Sequence, residues 1–352
     1  MNPESILRPG GHKKTIISPP SPLAESWHAL SLIAITGVAA ALLTLFAARF
    51  TAVPFILWFN DANDILLLES IYIFSLALVW DGALISAGAA RQLFPPSPTS
   101  ASGVLGNWRR LGFFSLGPLP LVLILLTSLI VIGTSNLTLI NLGLLQGHPA
   151  WRDPWLWSIE APLFEWMSGA PLDMTLWDRI YHGAWPMEVL AIFAIVVLTR
   201  DTRRLAAFCL SFILLFYLGR FIGLINPVMG PAFFRPEHFT QLAGSVSGSA
   251  MHLLAQVMAD PSAAQRSAIL LGGVSAMPSL HVGMVALSAW WLYEARHWSA
   301  WLTLPWVTLV WVATILLGWH YLLDGAGGLV LAGVCSACTK RLFAAIWPAG
   351  SH

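Results

Sequence analysis

The stretch Ser275-Ala-Met-Pro-Ser-Leu-His281 and the later stretch Gly318-Trp-His-Tyr-Leu-Leu-Asp324 each lie at the end of a long apolar segment. Each places a histidine where a membrane helix is expected to meet water. In the first stretch, Met277-Pro278-Ser279 predicts a turn that leads into a helix, because proline and serine are typical of helix starts. His281 then belongs to the first turn of that helix.

The second stretch predicts the end of a helix, with His320 and Asp324 one turn apart on one face, so that the carboxylate can hold the imidazole. The two histidines are 39 residues apart, which fits one span out and one span back at about 20 residues per crossing. Both histidines are therefore predicted to lie at the same face of a membrane.

The composition is that of a polytopic, all-α membrane protein. Of 352 residues, 57% are hydrophobic and 10% are charged, whereas a soluble domain carries about 25% charged residues. The net charge of +1 says nothing about nucleic acid, but the sequence has no basic aromatic patch, so no nucleic-acid partner is expected. Cys209, Cys335 and Cys338 lie in apolar runs and are interpreted as small packing residues.

The hydropathy pattern predicts a disordered cytoplasmic tail over 1–26 and a single transmembrane domain over 27–347, with about eight spans. The spans are predicted at about 28–48, 65–90, 118–141, 184–200, 205–225, 279–297, 300–320 and 324–345. Residues 146–183 are too polar to span and rich in tryptophan, which favours one or two interfacial helices at the outer face. Residues 226–275 form an outer loop, and 275–335 carry the catalytic motifs.

Two acidic residues, Glu69 and Asp81, fall in the second predicted span. Acids at membrane depth are candidates for function. The interpretation favoured here is structural: Glu69 lies near the interface, and Asp81 pairs inside the bundle or lies near its inner end.

The distribution of arginine and lysine sets the orientation. With eight spans and the N-terminus inside, the inner face receives 12 of the 18 basic residues, as the positive-inside rule requires. This orientation places His281, His320 and Asp324 on the outer face. We predict an integral protein of a bacterial inner membrane with its active site on the periplasmic face.

Two histidines and an aspartate suit metal binding, proton relay or phosphoryl transfer. Histidine can form a covalent intermediate while a second histidine protonates the leaving oxygen. An aspartate fixes the tautomer of the imidazole it holds. A metal is disfavoured, because Asp324 is better placed to orient His320 than to share an ion with it.

The two motifs closely resemble those of the phosphatidic acid phosphatase type 2 superfamily. Met277-Pro-Ser-Leu-His281 is similar to its second motif, and His320-Tyr-Leu-Leu-Asp324, followed by Gly325-Ala-Gly-Gly328, is similar to its third. The resemblance covers about 220–335 and is closest to the branch that includes inositol phosphorylceramide synthases. It implies that His320 attacks phosphorus, that His281 protonates the leaving group and that Asp324 orients the nucleophile.

The sequence departs from the superfamily at two cationic positions. The lysine seven residues before Arg235-Pro236 is replaced by Val228, and the Ser-Arg pair ahead of His320 is replaced by Ala313 and Thr314. The synthase-like branch also departs here, so the losses argue against an ordinary phosphatase.

Three residues are candidates for holding the phosphate. Arg235 lies in the outer loop, and Arg220 lies one turn inside the outer end of the fifth span. Ser279 can donate a hydrogen bond to a phosphate oxygen and is equally an N-cap of the sixth span. For Tyr181, His182 and His238, interfacial anchoring or surface contact is favoured over chemistry.

These observations predict a membrane lipid phosphotransferase, similar to inositol phosphorylceramide synthase, that moves a phosphoryl-headgroup between lipids through phosphohistidine. The alternatives are a lipid phosphate phosphatase of the same superfamily and a transporter or flippase in which Glu69, Asp81 and Glu188 relay protons. The expected partners are a phospholipid substrate and a lipid or water acceptor, with no metal or organic cofactor.

Overall fold

The structure is a computed structural model that describes residues 22–51, 53–57, 119–147, 151–168, 173–195, 201–259 and 275–346, with single positions between 72 and 86. The described residues contain α-helices and short 3-10 turns but no strand, which confirms the all-α prediction.

The helices of the described ranges are α1 (Pro22–Thr51), α2 (Leu119–Gly133), α3 (Ser135–Gly147), α4 (Asp153–Ser168), α5 (Met174–His182), α6 (Ala184–Ala194), α7 (Thr202–Ile225), α8 (Pro231–Phe234), α9 (Val246–Ala259), α10 (Leu280–Glu294), α11 (Ala300–Leu316) and α12 (Leu322–Ile346). Two 3-10 turns, Pro236–His238 and Thr240–Leu242, connect α8 to α9.

Four described helical segments are long and apolar enough to cross a membrane: Trp27–Thr51, Leu119–Leu142, Arg203–Ile225 and Leu322–Ile346. They coincide with the first, third, fifth and eighth predicted spans and identify the chain as an integral membrane protein. The count of eight spans stays a prediction. The second predicted span lies outside the continuously described ranges, and Glu69 and Asp81 lie outside the described residues.

The sixth and seventh predicted spans are helical but shorter than predicted. The helix α10 has 15 residues and α11 has 17. The chain turns between them at Arg296, whose φ is 51°, and leaves the helical path after α11 at Gly318, whose φ is 69°. Glycine adopts such a positive φ without a steric penalty, so it is suited to ending a helix.

The helix α7 packs against α1, α2, α10 and α12, and α10 packs against α11 and α12. Glycine allows α10 and α12 to approach closely, as in other membrane helix pairs. A Cβ atom at Gly328 would clash with the carbonyl oxygen of Ser279 and lie 3.0 Å from the nitrogen of Gly283. This contact brings the starts of α10 and α12, and hence the two sequence motifs, together.

An apolar cluster of buried side chains lies beside the two motifs. It contains residues of α4, α5, the 226–259 segment and the end of α11, among them Leu156, Phe164, Met174, Tyr181, Phe239, Leu317 and Tyr321. We call α4, α5 and residues 226–259 the cap. The described part of residues 146–183 contains α4 and α5, with Trp155 and Trp166 exposed, and the interfacial position of these helices stays a prediction.

Candidate active site

His281 lies in the first turn of α10, as the sequence predicts. Ser279 is the N-cap, and its hydroxyl accepts a hydrogen bond from the Val282 N–H at 3.4 Å. The backbone N–H of Ser279 donates to the carbonyl oxygen of Asp324 at 2.9 Å. Ser279 therefore ties the start of α10 to the first turn of α12.

His320 lies between α11 and α12 and not at the end of a helix, so the predicted helical turn from His320 to Asp324 was wrong. Because Gly318 has a positive φ, α11 ends before His320. The N–H groups of Trp319 and His320 both donate to the carbonyl oxygen of Thr314, at 3.0 and 3.2 Å. This turn therefore holds the backbone of His320 just before α12 begins.

Asp324 nevertheless lies beside His320. Its Oδ2 atom accepts a hydrogen bond from the Tyr321 N–H at 2.8 Å and lies 3.7 Å from Nδ1 of His320. The carboxylate reaches back from the third residue of α12 to the residue before the helix, as in a capping box. The 3.7 Å separation is longer than a hydrogen bond, and such contacts commonly tighten when substrate binds.

The two histidines meet at one cavity. Their ring centroids are 6.2 Å apart, and the cavity is small, with a volume of ≈ 30 Å³. Its lining consists of Leu137, Thr138, Asn141, Gly219, Arg220, Ser275, Pro278, Leu280, His281 and His320. Among these described lining residues there is no carboxylate, and Arg220 contributes a positive charge.

Arg220 projects from α7 into this cavity although only 7% of its surface is exposed. Its Nη1 group donates a hydrogen bond to the hydroxyl of Thr138 in α3. A cation that lines a cavity inside a membrane bundle can bind an anionic ligand. Thr138 and Asn141 are cavity residues that the sequence analysis missed.

The other two predicted phosphate-binding residues do not line the cavity. Arg235 is half exposed, lies 3.6 Å from Glu237 and has its guanidinium 5.0 Å from the centroid of the Phe234 ring. Ser279 is fully buried at the N-terminus of α10.

Three residues for which the sequence favoured anchoring have different surroundings. His182 lies 3.9 Å from Asp178, and His238 packs on the Trp157 ring with centroids 5.1 Å apart. Tyr181 instead contacts His281, with its hydroxyl 3.2 Å from the Nδ1 atom. The sequence contains no motif that pairs these two residues.

Three buried carboxylates of the cap bind backbone N–H groups of the elements around the site. Asp153 accepts from Met229 and Gly230, Glu160 accepts from Leu322 and Leu323, and Asp178 accepts from Val246 and Ser247. Glu160 thereby caps the start of α12 at Leu322 and Leu323, the two residues before Asp324. Tyr321, next to His320, also donates its hydroxyl hydrogen to Asp153.

Burial raises the pKa of Asp153 and of Glu160, and in both cases the bound N–H groups oppose this effect. Carboxylates that accept two N–H bonds satisfy helix ends that would otherwise lack partners. In the sequence, these contacts were indicated by acidic residues at helical spacing in 146–183, a segment too polar to span a membrane. That signal does not identify their partners.

Among the residues that the structure describes, no group of three or more His, Cys, Asp or Glu side chains could hold a metal ion. Glu188, named above as a possible proton relay, is buried and accepts a hydrogen bond from Ser288. Its visible contact therefore joins α6 to α10.

The family model of the PAP2 superfamily (phosphatidic acid phosphatase type 2) matches residues 153–338. The match covers just over half of the chain and includes both motifs. The chain therefore belongs to the PAP2 superfamily. Membership supports phosphatase or phosphotransferase activity on lipid-like substrates. Searches of curated proteins and of solved structures gave no significant match.

Proposed function

We propose that the protein is a lipid phosphotransferase, similar to inositol phosphorylceramide synthase, that moves a phosphoryl-headgroup between lipids through a phosphohistidine. The observation that carries this proposal is the meeting of His281, His320 and Arg220 at one cavity, with the histidine rings 6.2 Å apart. The site has a nucleophile, an acid and a cation within reach of one phosphate.

In the first half of the reaction, Nε2 of His320 forms a bond to phosphorus as the bond from phosphorus to the lipid oxygen breaks. Protonated His281 gives its Nε2 proton to that oxygen, and the lipid alcohol leaves. Asp324, 3.7 Å from Nδ1 of His320, stabilises the positive charge that grows on this imidazole.

In the second half, the acceptor hydroxyl attacks the phosphorus of the phosphohistidine. His281, now neutral, removes the hydroxyl proton through Nε2, and the bond between phosphorus and His320 breaks. The electron pair of that bond returns to His320. Both histidines regain their starting protonation states, so the cycle needs no further proton donor.

Arg220 is proposed to bind the phosphate in place of the two cations that the superfamily pattern places elsewhere. Val228, at the lysine position, is fully buried, and its carbonyl oxygen accepts the Ala276 N–H at 2.6 Å. Thr314, at the arginine position, holds the backbone of His320. Ser279 contributes by orienting the N-terminus of α10, and Arg235 is a contact for the headgroup outside the cavity.

The cap favours transfer over hydrolysis. It packs beside the site through a continuous apolar cluster and through the three buried carboxylates. An enzyme that transfers to an alcohol must limit access of water to its reactive intermediate, and closed elements over a site commonly serve this purpose. With water as the acceptor, the same chemistry would give the alternative function, a lipid phosphate phosphatase.

We expect the purified protein to form a new phospholipid when a labelled phospholipid donor is supplied with a long-chain amino-alcohol or diacylglycerol acceptor. Lipid mass spectrometry before and after incubation measures both the new lipid and the free phosphate ester. His320→Ala serves as the inactive control. Hydrolysis at one rate with and without every acceptor tried, and with no new phospholipid, would identify a phosphatase.

The periplasmic location of the site is also a proposal, and one position in the cap and one at the far end of α12 test it. The helix is long enough to span, so its ends lie at opposite faces. Ser249, in the cap, and Ala345, at the far end of α12, are both exposed. In a Cys338→Ser background, Ser249→Cys should react with an impermeant thiol reagent in intact cells, and Ala345→Cys only after permeabilisation. The reverse labelling would place the active site in the cytoplasm.

A further inference from the structure

Tyr181 is the cap residue in direct contact with the histidine assigned as acid. It lies in the last turn of α5, and its hydroxyl is 3.2 Å from Nδ1 of His281, with ring centroids 4.5 Å apart. His320 has a different kind of partner, because its Nδ1 faces the carboxylate of Asp324. The two histidines thus have partners of different charge.

The Tyr181 ring is fixed on its other side by Trp319. These two rings are stacked, with centroids 5.8 Å apart and planes 7° from parallel, and the Trp319 indole N–H donates to the hydroxyl of Ser247. Only 5% of the Tyr181 surface is exposed. Trp319 directly precedes His320, so Tyr181 is held between the two halves of the site.

The phenol remains neutral, since burial raises the pKa of Tyr181 well above its usual value. A neutral hydroxyl both accepts and donates hydrogen bonds, so it can accept from Nδ1–H of His281 or donate to a bare Nδ1. It does not add the negative charge that would make His281 hold its proton more tightly.

We propose that Tyr181 is a positioning residue for His281: its hydroxyl oxygen accepts the Nδ1–H hydrogen bond and leaves Nε2 for the reacting oxygen. This inference rests on the function proposed above. In the first half of the reaction, His281 gives its Nε2 proton to the leaving lipid oxygen. The Nδ1 proton stays on the imidazole, hydrogen-bonded to the Tyr181 hydroxyl oxygen. In the second half, the same Nε2 takes the proton of the acceptor hydroxyl. The neutral phenol and the Asp324 carboxylate therefore distinguish the acid from the nucleophile.

The test compares two phosphodiesters that share a headgroup and differ in leaving group, one a diacylglycerol and the other p-nitrophenol. An alkyl leaving group needs a proton from His281, whereas p-nitrophenolate leaves without one. Tyr181→Phe keeps the ring and should lower kcat for the alkyl ester by about 10-fold, a part of the roughly 10²–10⁴-fold effect of a general acid. Turnover of the p-nitrophenyl ester should change less than about 2-fold.

The second comparison measures phosphoenzyme formation from the p-nitrophenyl ester, with and without Tyr181→Phe, in a His281→Ala background and in the unaltered background. A residue that acts through His281 has no further effect once His281 is absent, whereas a structural defect lowers activity in both backgrounds. Tyr217→Phe is the matched control, because Tyr217 is also buried and its hydroxyl donates to the Ile130 carbonyl at 3.4 Å and not to His281. It should leave the ratio of the two turnover rates unchanged. Equal losses on both esters, or the same loss in both backgrounds, would overturn the inference.

A direct measurement does not depend on turnover. In protein labelled with ¹⁵N-histidine, the His281 resonances are those missing from His281→Ala. Tyr181→Phe should shift the Nδ1 resonance of His281, and identical spectra would overturn the inference. Failure of the unaltered protein to turn over either ester, with a shifted Nδ1 resonance, would count against the proposed function and leave the contact between Tyr181 and His281 supported.

Discussion

Replacing His320 with alanine should lower phosphoryl transfer by roughly 10³-fold or more, because removal of a catalytic nucleophile eliminates the covalent route altogether. The protein should remain folded in detergent. The contacts of this segment that hold the fold are made by the backbone of His320 to Thr314 and by Tyr321 to Asp324 and Asp153, and the substitution leaves them in place. Turnover of labelled phospholipid and the thermal unfolding midpoint measure the two effects separately.

His281→Ala and His238→Ala complete this experiment. His281→Ala should also stop turnover of lipid esters, yet it should still form phosphoenzyme from an ester with a good leaving group. His238, which packs on Trp157 in the cap, is the matched histidine control and should retain activity within about 3-fold. Normal turnover by His320→Ala would disprove the phosphohistidine mechanism.

Replacing Arg220 with glutamine should lower kcat/KM by roughly 10²–10³-fold, the cost of removing one preorganised charge or donor from a buried site. Arg220 is the cation of the cavity lining that can hold a phosphate beside His281 and His320. Glutamine can still bond the Thr138 hydroxyl and leaves no charge buried, so the substitution tests the loss of charge more than the loss of packing.

Arg235→Gln is the matched comparison, because Arg235 is half exposed and its visible ionic partner is Glu237 at 3.6 Å. A solvent-exposed ion pair contributes little, so this substitution should lower kcat/KM by less than about 10-fold. Steady-state kinetics on one labelled phospholipid, with unfolding midpoints for both variants, provides the comparison. A larger loss of kcat/KM from Arg235→Gln than from Arg220→Gln would show that Arg235 in the outer loop, and not Arg220, binds the phosphate.

The cap explains how distant segments produce one site. Asp153, Glu160 and Asp178 use their carboxylates to hold the 229–230 turn, the start of α12 and the start of α9. Each contact joins residues more than 60 positions apart in the chain. The same helices carry Tyr181, so the interfacial segment takes part in the geometry of the site.

Local features of the sequence were sufficient for the fold class and for both motifs. Apolar runs of about 20 residues predicted the helices α1, α7 and α12, because membrane insertion depends mainly on the summed hydropathy of one segment. The start of α10 was also predictable, because the Ser279 side chain caps the helix by accepting a hydrogen bond from Val282, only three residues away. The second predicted span remains untested, because most of it lies outside the described residues.

By itself, the sequence determined that the chain is a helical membrane protein and predicted that His281, His320 and Asp324 carry its chemistry, because hydropathy and short motifs are properties of contiguous residues. Only the tertiary structure decided that His320 lies between two helices, that Arg220 and Thr138 meet at the cavity and that Tyr181 contacts His281. The physical reason is that a buried polar side chain takes whichever partner the packing brings within about 3 Å, and that partner comes from another helix.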